Sequence, residues 1–303
     1  DTLTFSGAFT DVVFGGFLQA FSNTGVLLWS TLYSGIDPPL QLHVDANDRI
    51  LLAGTAKTDF VTQPGIGSFA GAYHSNTYGG GVFESDAMIV GFTPGGQREW
   101  ATFLGGGHIS GVTSDATGRI FMAGSTDDGV MLDQPGTGSF AGSYYLPPAD
   151  SQTYLLGLSA NGALQWASGF PTMSFQNKSV ATTPAGQFVM AGGGGSAAPV
   201  VANGPFSGAA QNAVDGFDDG YIAVFSNAGS QLWGTYFELG GSPNVHGLAV
   251  GTDGRLVVQA THSPDAFTPL ATGVFAGAYQ NSATGEGDAC LIGFNAAGTV
   301  QWR

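Results

Sequence analysis

The sequence has few charged residues, and most of its charge is negative. Lysine and arginine together number 7 against 22 aspartates and glutamates in 303 residues, so the formal net charge is −15. Nucleic-acid binding needs clustered basic side chains that contact phosphates. Anionic lipid attracts the same side chains. The composition therefore excludes nucleic acid as a partner and argues against binding to anionic lipid.

Cysteine, lysine and long apolar runs are also scarce. Cys290 is the one cysteine, so an internal disulfide is excluded, and its apolar surroundings indicate a buried core residue. Lysine occurs only at Lys57 and Lys178, which leaves little to cover the exposed faces of helices. No apolar run approaches the roughly 18 residues of a membrane-spanning helix. We therefore expect no membrane insertion.

Glycine, by contrast, is abundant, with 50 residues, and apolar residues make up 43% of the chain. The apolar fraction is enough for a large core. The surface must then be built mainly from serine, threonine, asparagine, glutamine and glycine. This low-charge polar surface favours a secreted or cell-surface protein.

A repeated hairpin is the main pattern in the sequence. Each tryptophan ends a short apolar segment that follows a turn with glycine, as in MIVGFTPGGQREW and YLLGLSANGALQW. Such a turn between two apolar segments is typical of a β-hairpin. The tryptophans are Trp29, Trp100, Trp166, Trp233 and Trp302, and the turn glycines are Gly25, Gly96, Gly162, Gly229 and Gly298.

Two further elements recur between the tryptophans. One is a second hairpin, which reads LQLHVDANDRILLAG, SGVTSDATGRIFMAG, KSVATTPAGQFVMAG and HGLAVGTDGRLVVQA. The other is an aromatic element, which reads FSGAF, FAGAY, FAGSY, FSGAA and FAGAY. All three markers share a period of about 68 residues, which indicates internal repeats.

Two hairpins in each repeat predict four antiparallel strands. We therefore expect an all-β fold, a β-propeller of four-stranded antiparallel blades with about 68 residues per repeat. A solenoid is the first alternative and a β-sandwich the second, although solenoid repeats are usually shorter. The prediction is one domain, 1–303, of five blades, the first incomplete. Its repeats are 1–29 (partial), 30–100, 101–166, 167–233 and 234–303.

The hairpin pair resembles the SBBP-type β-propeller repeat of bacterial extracellular proteins. The resemblance rests on GVTSDATGRIFMAGST followed by DAMIVGFTPGGQREWATFLGG, and on HGLAVGTDGRLVVQATHS with DACLIGFNAAGTVQW. It covers nearly the whole chain and implies a propeller in a secreted or surface-attached bacterial protein, with little information on function. The glycine run 192–195 departs from the pattern and predicts a loop where a strand would continue.

Aromatic residues of the FAGAY connections are the candidate binding residues. If they are exposed in polar loops, they form platforms for sugars or for a protein partner. The alternative is that these aromatics pack against their own blade and seal its edge. The candidates are Tyr73, Tyr144, Tyr145 and Tyr279.

Acidic residues collect just before the third strand of several repeats. Carboxylates and backbone carbonyls in glycine-rich loops are suitable calcium ligands. The candidate calcium ligands are therefore Asp86, Asp218 and Asp288. The alternative is local capping of a strand end by the aspartate, and no other cofactor is predicted. His43, His108 and His246 could converge on a central cation, but they do not keep the register of the repeat.

No sequence motif indicates catalysis, so we predict a non-enzymatic protein with no catalytic residues. No GxSxG motif occurs, and Asp127-Asp128-Gly129 is interpreted as a turn rather than a carboxylate pair of a glycosidase. The predicted function is structural assembly, adhesion or protein–protein interaction. Its partners would be proteins or further copies of the chain, bound at the edge of the incomplete blade. The alternatives are a glycan-binding propeller and a secreted polysaccharide hydrolase or lyase.

Overall fold

A computed structural model describes residues 16–79, 86–149, 153–171, 179–195, 197–203, 206–208, 219–237, 245–262, 270–277 and 288–303. Within these residues the chain is all-β, as predicted, with strands joined by turns and short 3-10 segments. None of the described segments is a helix of the length and apolarity needed to cross a membrane. The strands are β1 (Gly16–Phe21), β2 (Leu27–Tyr33), β3 (Ile36–Val44), β4 (Ile50–Ala56), β5 (Asp86–Phe92), β6 (Arg98–Ser114), β7 (Ile120–Met131), β8 (Thr153–Leu158), β9 (Leu164–Phe170), β10 (Ser179–Thr182), β11 (Phe188–Gly194), β12 (Val201–Ala202), β13 (Asp219–Phe225), β14 (Gln231–Phe237), β15 (Val245–Val250), β16 (Leu256–His262), β17 (Asp288–Phe294) and β18 (Val300–Trp302).

The strands form four antiparallel sheets. Their orders are β1-β2, β3-β4-β5-β6-β7-β8-β9, β10-β11-β13-β14-β12 and β15-β16-β17-β18. The seven-stranded sheet consists of two four-stranded meanders that share β6. The first half of β6 pairs with β5 and its second half pairs with β7, with irregular register between Gly105 and Gly107.

The described chain therefore contains five antiparallel groups, which we call units 1 to 5. Unit 1 is β1-β2, unit 2 is β3-β4-β5 with the first half of β6, and unit 3 is the second half of β6 with β7-β8-β9. Unit 4 is β10-β11-β13-β14 with β12 at its edge, and unit 5 is β15 to β18. Unit 1 has two strands among the described residues, and each of the others has at least four.

In the last hairpin of each unit, the two strands are joined by the glycine turn that the sequence predicts. Gly25, Gly96, Gly162, Gly229 and Gly298 all have φ between 78° and 83°. Only glycine adopts this backbone region without a steric cost. The amide of each glycine donates to the carbonyl three residues earlier, as Gly162 does to Ser159 at 2.8 Å.

The units pack face to face in chain order. Each of the four apolar clusters joins two successive units, so units 2, 3 and 4 bury both faces of their strands. Complete burial of one large apolar side chain contributes roughly 1.5–3 kcal/mol, so these clusters dominate the stability of the fold. The largest fully buried side chains include Trp100, Trp166, Trp233, Tyr154 and Tyr221.

Short segments cover the outer edge of units 2 to 5. The last strand of each of these units pairs with a residue or a two-residue strand from the connection inside the same unit. These antiparallel pairings are Gln63 with Ala101, Gln134 with Ala167, β12 with β14, and Ala271 with Trp302. These pairings use backbone groups of the edge strand that would otherwise be open to a further strand.

Two local predictions from the sequence are wrong. Most of the glycine run 192–195 continues strand β11, where Gly192 pairs with Tyr221 and Gly194 with Asp219. A Cβ atom at Gly194 would lie 2.5 Å from the Cβ of Tyr221, so close packing explains this glycine. Asp127 and Asp128 lie in strand β7 rather than in a turn.

Candidate functional site

We call the contact between two successive units a junction. Tryptophan, glycine, phenylalanine and arginine residues build it. In each junction the tryptophan of one unit lies against the turn glycine of the next. A Cβ atom added at the glycine would approach the indole to 2.8 Å for Gly96 and Trp29, 3.2 Å for Gly162 and Trp100, 3.5 Å for Gly229 and Trp166, and 2.6 Å for Gly298 and Trp233.

The aromatic element contributes a second part of the junction. Its phenylalanine stacks on the tryptophan of the same unit, and the pairs Phe69–Trp100, Phe140–Trp166, Phe206–Trp233 and Phe275–Trp302 have centroid distances of 5.3 to 5.7 Å. The backbone of the element reaches the next unit. The amide of Tyr73 donates to the carbonyl of Gly162, and that of Tyr144 donates to the carbonyl of Gly229, both at 2.9 Å.

An arginine from the second hairpin provides a third part. Arg49 is buried, its Nε donates to Asp45 at 2.7 Å, and its Nη1 donates to the carbonyl of Ala160 in the next unit at 2.7 Å. Arg119 repeats this arrangement with Asp115 and with the carbonyl of Asn227. We call each arginine with its aspartate a clamp.

The junction between units 4 and 5 has no clamp of this kind. Gln187 and Thr183 lie at the turn positions that Arg119 and Asp115 occupy in unit 3, and their side chains hydrogen-bond to each other at 3.1 Å. A cavity of about 350 Å³ opens beside them. Its lining includes Gln187, Phe206, Asp253 and Ala296. The turn beside this cavity therefore carries glutamine and threonine where a clamp has arginine and aspartate.

Two faces at the ends of the series are exposed. We call the side of a unit that faces the following unit its forward face, and the opposite side its backward face. On the forward face of unit 5, Leu291 is 43% exposed, whereas its equivalents Ile89, Leu155 and Ile222 are fully buried. On the backward face of unit 1, Phe17 is 70% exposed.

The predicted binding tyrosines do not share one environment. Tyr73 and Tyr144 are half-buried, and burial raises the pKa of both phenols. Tyr145 is exposed, and its hydroxyl donates to the carboxylate of Asp133 at 2.7 Å. This hydrogen bond raises the pKa of Tyr145. Tyr279 lies outside the described residues, so a binding role for these tyrosines stays a prediction.

The predicted calcium ligands are spread along the chain rather than gathered. Asp86 is buried at the start of β5 and accepts a hydrogen bond from the amide of Gly79. Asp218 lies outside the described residues, and Asp288 is the first residue of β17. Among the described side chains, no group of three or more histidine, cysteine, aspartate or glutamate residues could hold a metal ion. The calcium site stays a prediction.

The three histidines of the predicted central cluster lie on the first strands of three different units, with His108 in the second half of β6. His43 in β3 forms a hydrogen bond with the hydroxyl of Ser114 at 2.8 Å, across the junction between units 2 and 3. Burial lowers the pKa of His43, an effect that the nearby Asp45 opposes. His246 lies in β15 and is exposed.

Sequence reasoning missed the role of the arginines and one equivalent aspartate. The turn motifs DANDR and DATGR carried the signal for the clamps, since they place aspartate and arginine four residues apart. Strands β5, β13 and β17 each begin with aspartate and end with phenylalanine six residues later. The equivalent of Asp86 in unit 4 is therefore Asp219, the neighbour of the predicted Asp218.

No protein-family profile matches the chain, and a search of curated proteins finds no significant relative.

Proposed function

We propose that the chain is a non-enzymatic extracellular or cell-surface β-propeller module that acts in structural assembly, adhesion or protein–protein interaction. The observation that carries the proposal is the junction, which recurs between all successive units with the same tryptophan and glycine. The aromatic and arginine side chains that would attract attention as ligand-binding groups serve this packing. Such a series of units is a rigid scaffold that displays its loops on a stable surface.

Contacts between the first strands of the units support the propeller arrangement. Strand β3 contacts β6, β6 contacts β10, and β10 contacts β15. The hydroxyl of Thr182 donates to the carbonyl of Ser114 at 2.8 Å, so a hydrogen bond links the first strands of units 3 and 4. Strands that meet one another in succession are expected around the axis of a propeller. The five units equal the predicted blades in number. The backward face of unit 1 and the forward face of unit 5 are both exposed, so the ring of blades in this proposal is not closed by a contact between these two units.

The extracellular and bacterial part of the proposal is supported by the sequence. The surface carries few charges for its size, and the net charge is −15. The resemblance of both hairpins to SBBP-type repeats points in the same direction.

Adhesion of coated beads tests the proposed function. Beads coated with the chain should bind surfaces coated with extracellular matrix or bacterial surface proteins, and beads coated with the heat-unfolded chain should not. Equal retention of both kinds of bead on all surfaces, at the level of uncoated beads, contradicts the proposal. An electron cryo-microscopy map tests the blade arrangement separately.

Glycan binding is the second candidate function, and Tyr145 is the observation that favours it. Its exposed ring carries a hydroxyl that is fixed by Asp133 at 2.7 Å, which combines an apolar face with polar groups as sugar-binding sites do. A glycan array should then show spots that the Tyr145→Ala variant loses and the Val200→Ala variant keeps. An array without bound spots removes this candidate.

A further inference from the structure

The forward face of unit 5 carries the donor half of a junction. Phe275 stacks on Trp302 with a centroid distance of 5.5 Å and an interplanar angle of 20°, close to the values of Phe206 and Trp233. The guanidinium of Arg255 lies 5.7 Å from the centroid of Phe275, as Arg49 lies over Phe69 at 4.6 Å. Trp302 is partly exposed, whereas Trp100, Trp166 and Trp233 are fully buried.

The backward face of unit 1 carries the acceptor half. Gly25 has φ of +80°, like the turn glycines inside the junctions, and a Cβ atom added there would meet no atom within 4 Å. The turn 23–25 is exposed. Phe17 and Phe21 are 70% and 56% exposed, whereas their equivalents in unit 2, Met88 and Phe92, are fully buried.

We propose that a second copy of this chain docks head to tail, with the forward face of unit 5 in one copy against the backward face of unit 1 in the other. The inference rests on the proposed assembly function. In this contact the indole of Trp302 lies against Gly25. The guanidinium of Arg255 donates to the carbonyl of Asn23, which occupies the turn position of Ala160 and Asn227.

The shape of the two faces indicates that the docking partner is a second copy of the chain. The four internal junctions show that a forward face of this type packs on a backward face of this type. Both faces are exposed in the same described chain, so they do not cover each other. A second copy supplies both complementary halves, and a contact between unlike faces builds closed rings or open filaments according to its rotation.

The net charge of −15 opposes the association of two copies. Screening by salt reduces this repulsion, since the Debye length falls to about 3 Å at 1 M ionic strength. The contact itself is mainly apolar. We therefore expect self-association to strengthen as sodium chloride is raised, in contrast to a contact held by opposite charges.

Sedimentation of the whole purified chain in 0.5 M sodium chloride tests the proposal. The expected result is an average mass that rises with concentration above the 30.8 kDa of one copy. Leu291→Asp blocks the forward face and Phe17→Asp blocks the backward face. Each should weaken self-association by at least about tenfold, while an equal mixture of the two should form a complex of two copies and nothing larger. Because each variant retains the half that the other lacks, only a head-to-tail contact gives this restoration.

Val200→Asp is the control, because Val200 is 37% exposed, close to the 43% of Leu291, and belongs to unit 4 rather than to either end face. It should associate like the unchanged chain. Gly25→Ala provides a milder test with less risk to folding, and it should also weaken association because the new methyl group would meet Trp302. A chain of one-copy mass at all concentrations, or a mixture that does not restore the complex, overturns the proposal. Neither outcome affects the adhesion of coated beads to other proteins, so the proposed function would fail or survive on its own test.

Discussion

Gly298 lies against the indole of Trp233, so close that a Cβ atom at Gly298 would be 2.6 Å from the ring. The two residues belong to successive units and are 65 positions apart in the chain. The amide of Gly298 also closes its turn with the carbonyl of Asn295 at 3.0 Å. The turn conformation and the packing between units therefore both require that residue 298 is a glycine.

Alanine substitution separates these two requirements. Gly298→Ala should lower the free energy of unfolding by roughly 1–2 kcal/mol because of the positive φ. Overpacking against Trp233 should lower it by about 1–3 kcal/mol more. Gly25→Ala should show only the first cost, since its φ is +80° and no atom lies within 4 Å of the added Cβ. Urea unfolding at low protein concentration measures both free energies. Equal losses in the two variants would contradict the packing role of Gly298.

The buried clamp at Arg49 should be far more important for stability than the exposed pair at Arg255. Arg49→Ala leaves the carboxylate of Asp45 buried without its cation, and we expect a loss of about 3–5 kcal/mol in the free energy of unfolding. Arg255→Ala should leave the stability of the single chain unchanged, because its side chain and that of Asp253 are both well exposed. Thermal unfolding of the two variants checks this difference, and similar melting temperatures would argue against it.

A clamp can be built into the junction between units 4 and 5. Thr183→Asp with Gln187→Arg reproduces the residues of the unit 3 clamp at the turn beside the 350 Å³ cavity. The new guanidinium should reach the carbonyl of Ala296, and charge-assisted hydrogen bonds offset by desolvation should raise the stability by about 1 kcal/mol. In calorimetry this corresponds to an increase of about 2–4 °C in the melting temperature. Gln187→Arg alone is the control and should stabilise less, since the arginine then lacks its aspartate.

His43 should make stability depend on pH below neutrality. Burial lowers its pKa in the folded chain, so the unfolded chain takes up a proton near its ordinary pKa of about 6.5 while the folded chain still does not. This contribution is therefore complete above pH 6.5 and is lost as the pH falls toward the lower folded pKa. His43→Gln keeps a hydrogen-bonding group near Ser114 and should flatten the decline between pH 7 and pH 5. His246→Gln is the control, and urea unfolding across this pH range that shows the same slope for all three proteins contradicts the expectation.

The hairpins could be predicted from the sequence, but the junctions could not. The turn glycines and the tryptophans are local signals, and both give the positions of β-turns and strands correctly. The partner of each tryptophan depends on how two units lie against each other, and nothing near Trp233 in the sequence indicates Gly298. The acceptor of Arg49 is the carbonyl of Ala160, 111 residues away. Every residue has a backbone carbonyl, so the sequence does not indicate which carbonyl accepts the hydrogen bond of a clamp arginine.

For the glycine run 192–195 of unit 4, by contrast, the sequence predicts a structure that is wrong. Consecutive glycines suggest a loop because they lack side chains that would fix a strand. Here the neighbouring aromatic rings supply the bulk instead, since Tyr221 and Tyr236 occupy the space beside Gly194. Local composition therefore gave the wrong structure where long-range packing decided it.

Strand β6, Arg98–Ser114, runs from unit 2 into unit 3 without a loop. These two units are therefore joined by ladder hydrogen bonds on both sides of the crossing as well as by an apolar cluster. A pulling force or a protease that acts between units 2 and 3 would meet backbone already engaged in a sheet. Units 2 and 3 should consequently open as a single cooperative block, and their amide hydrogens should exchange together as the last in the chain.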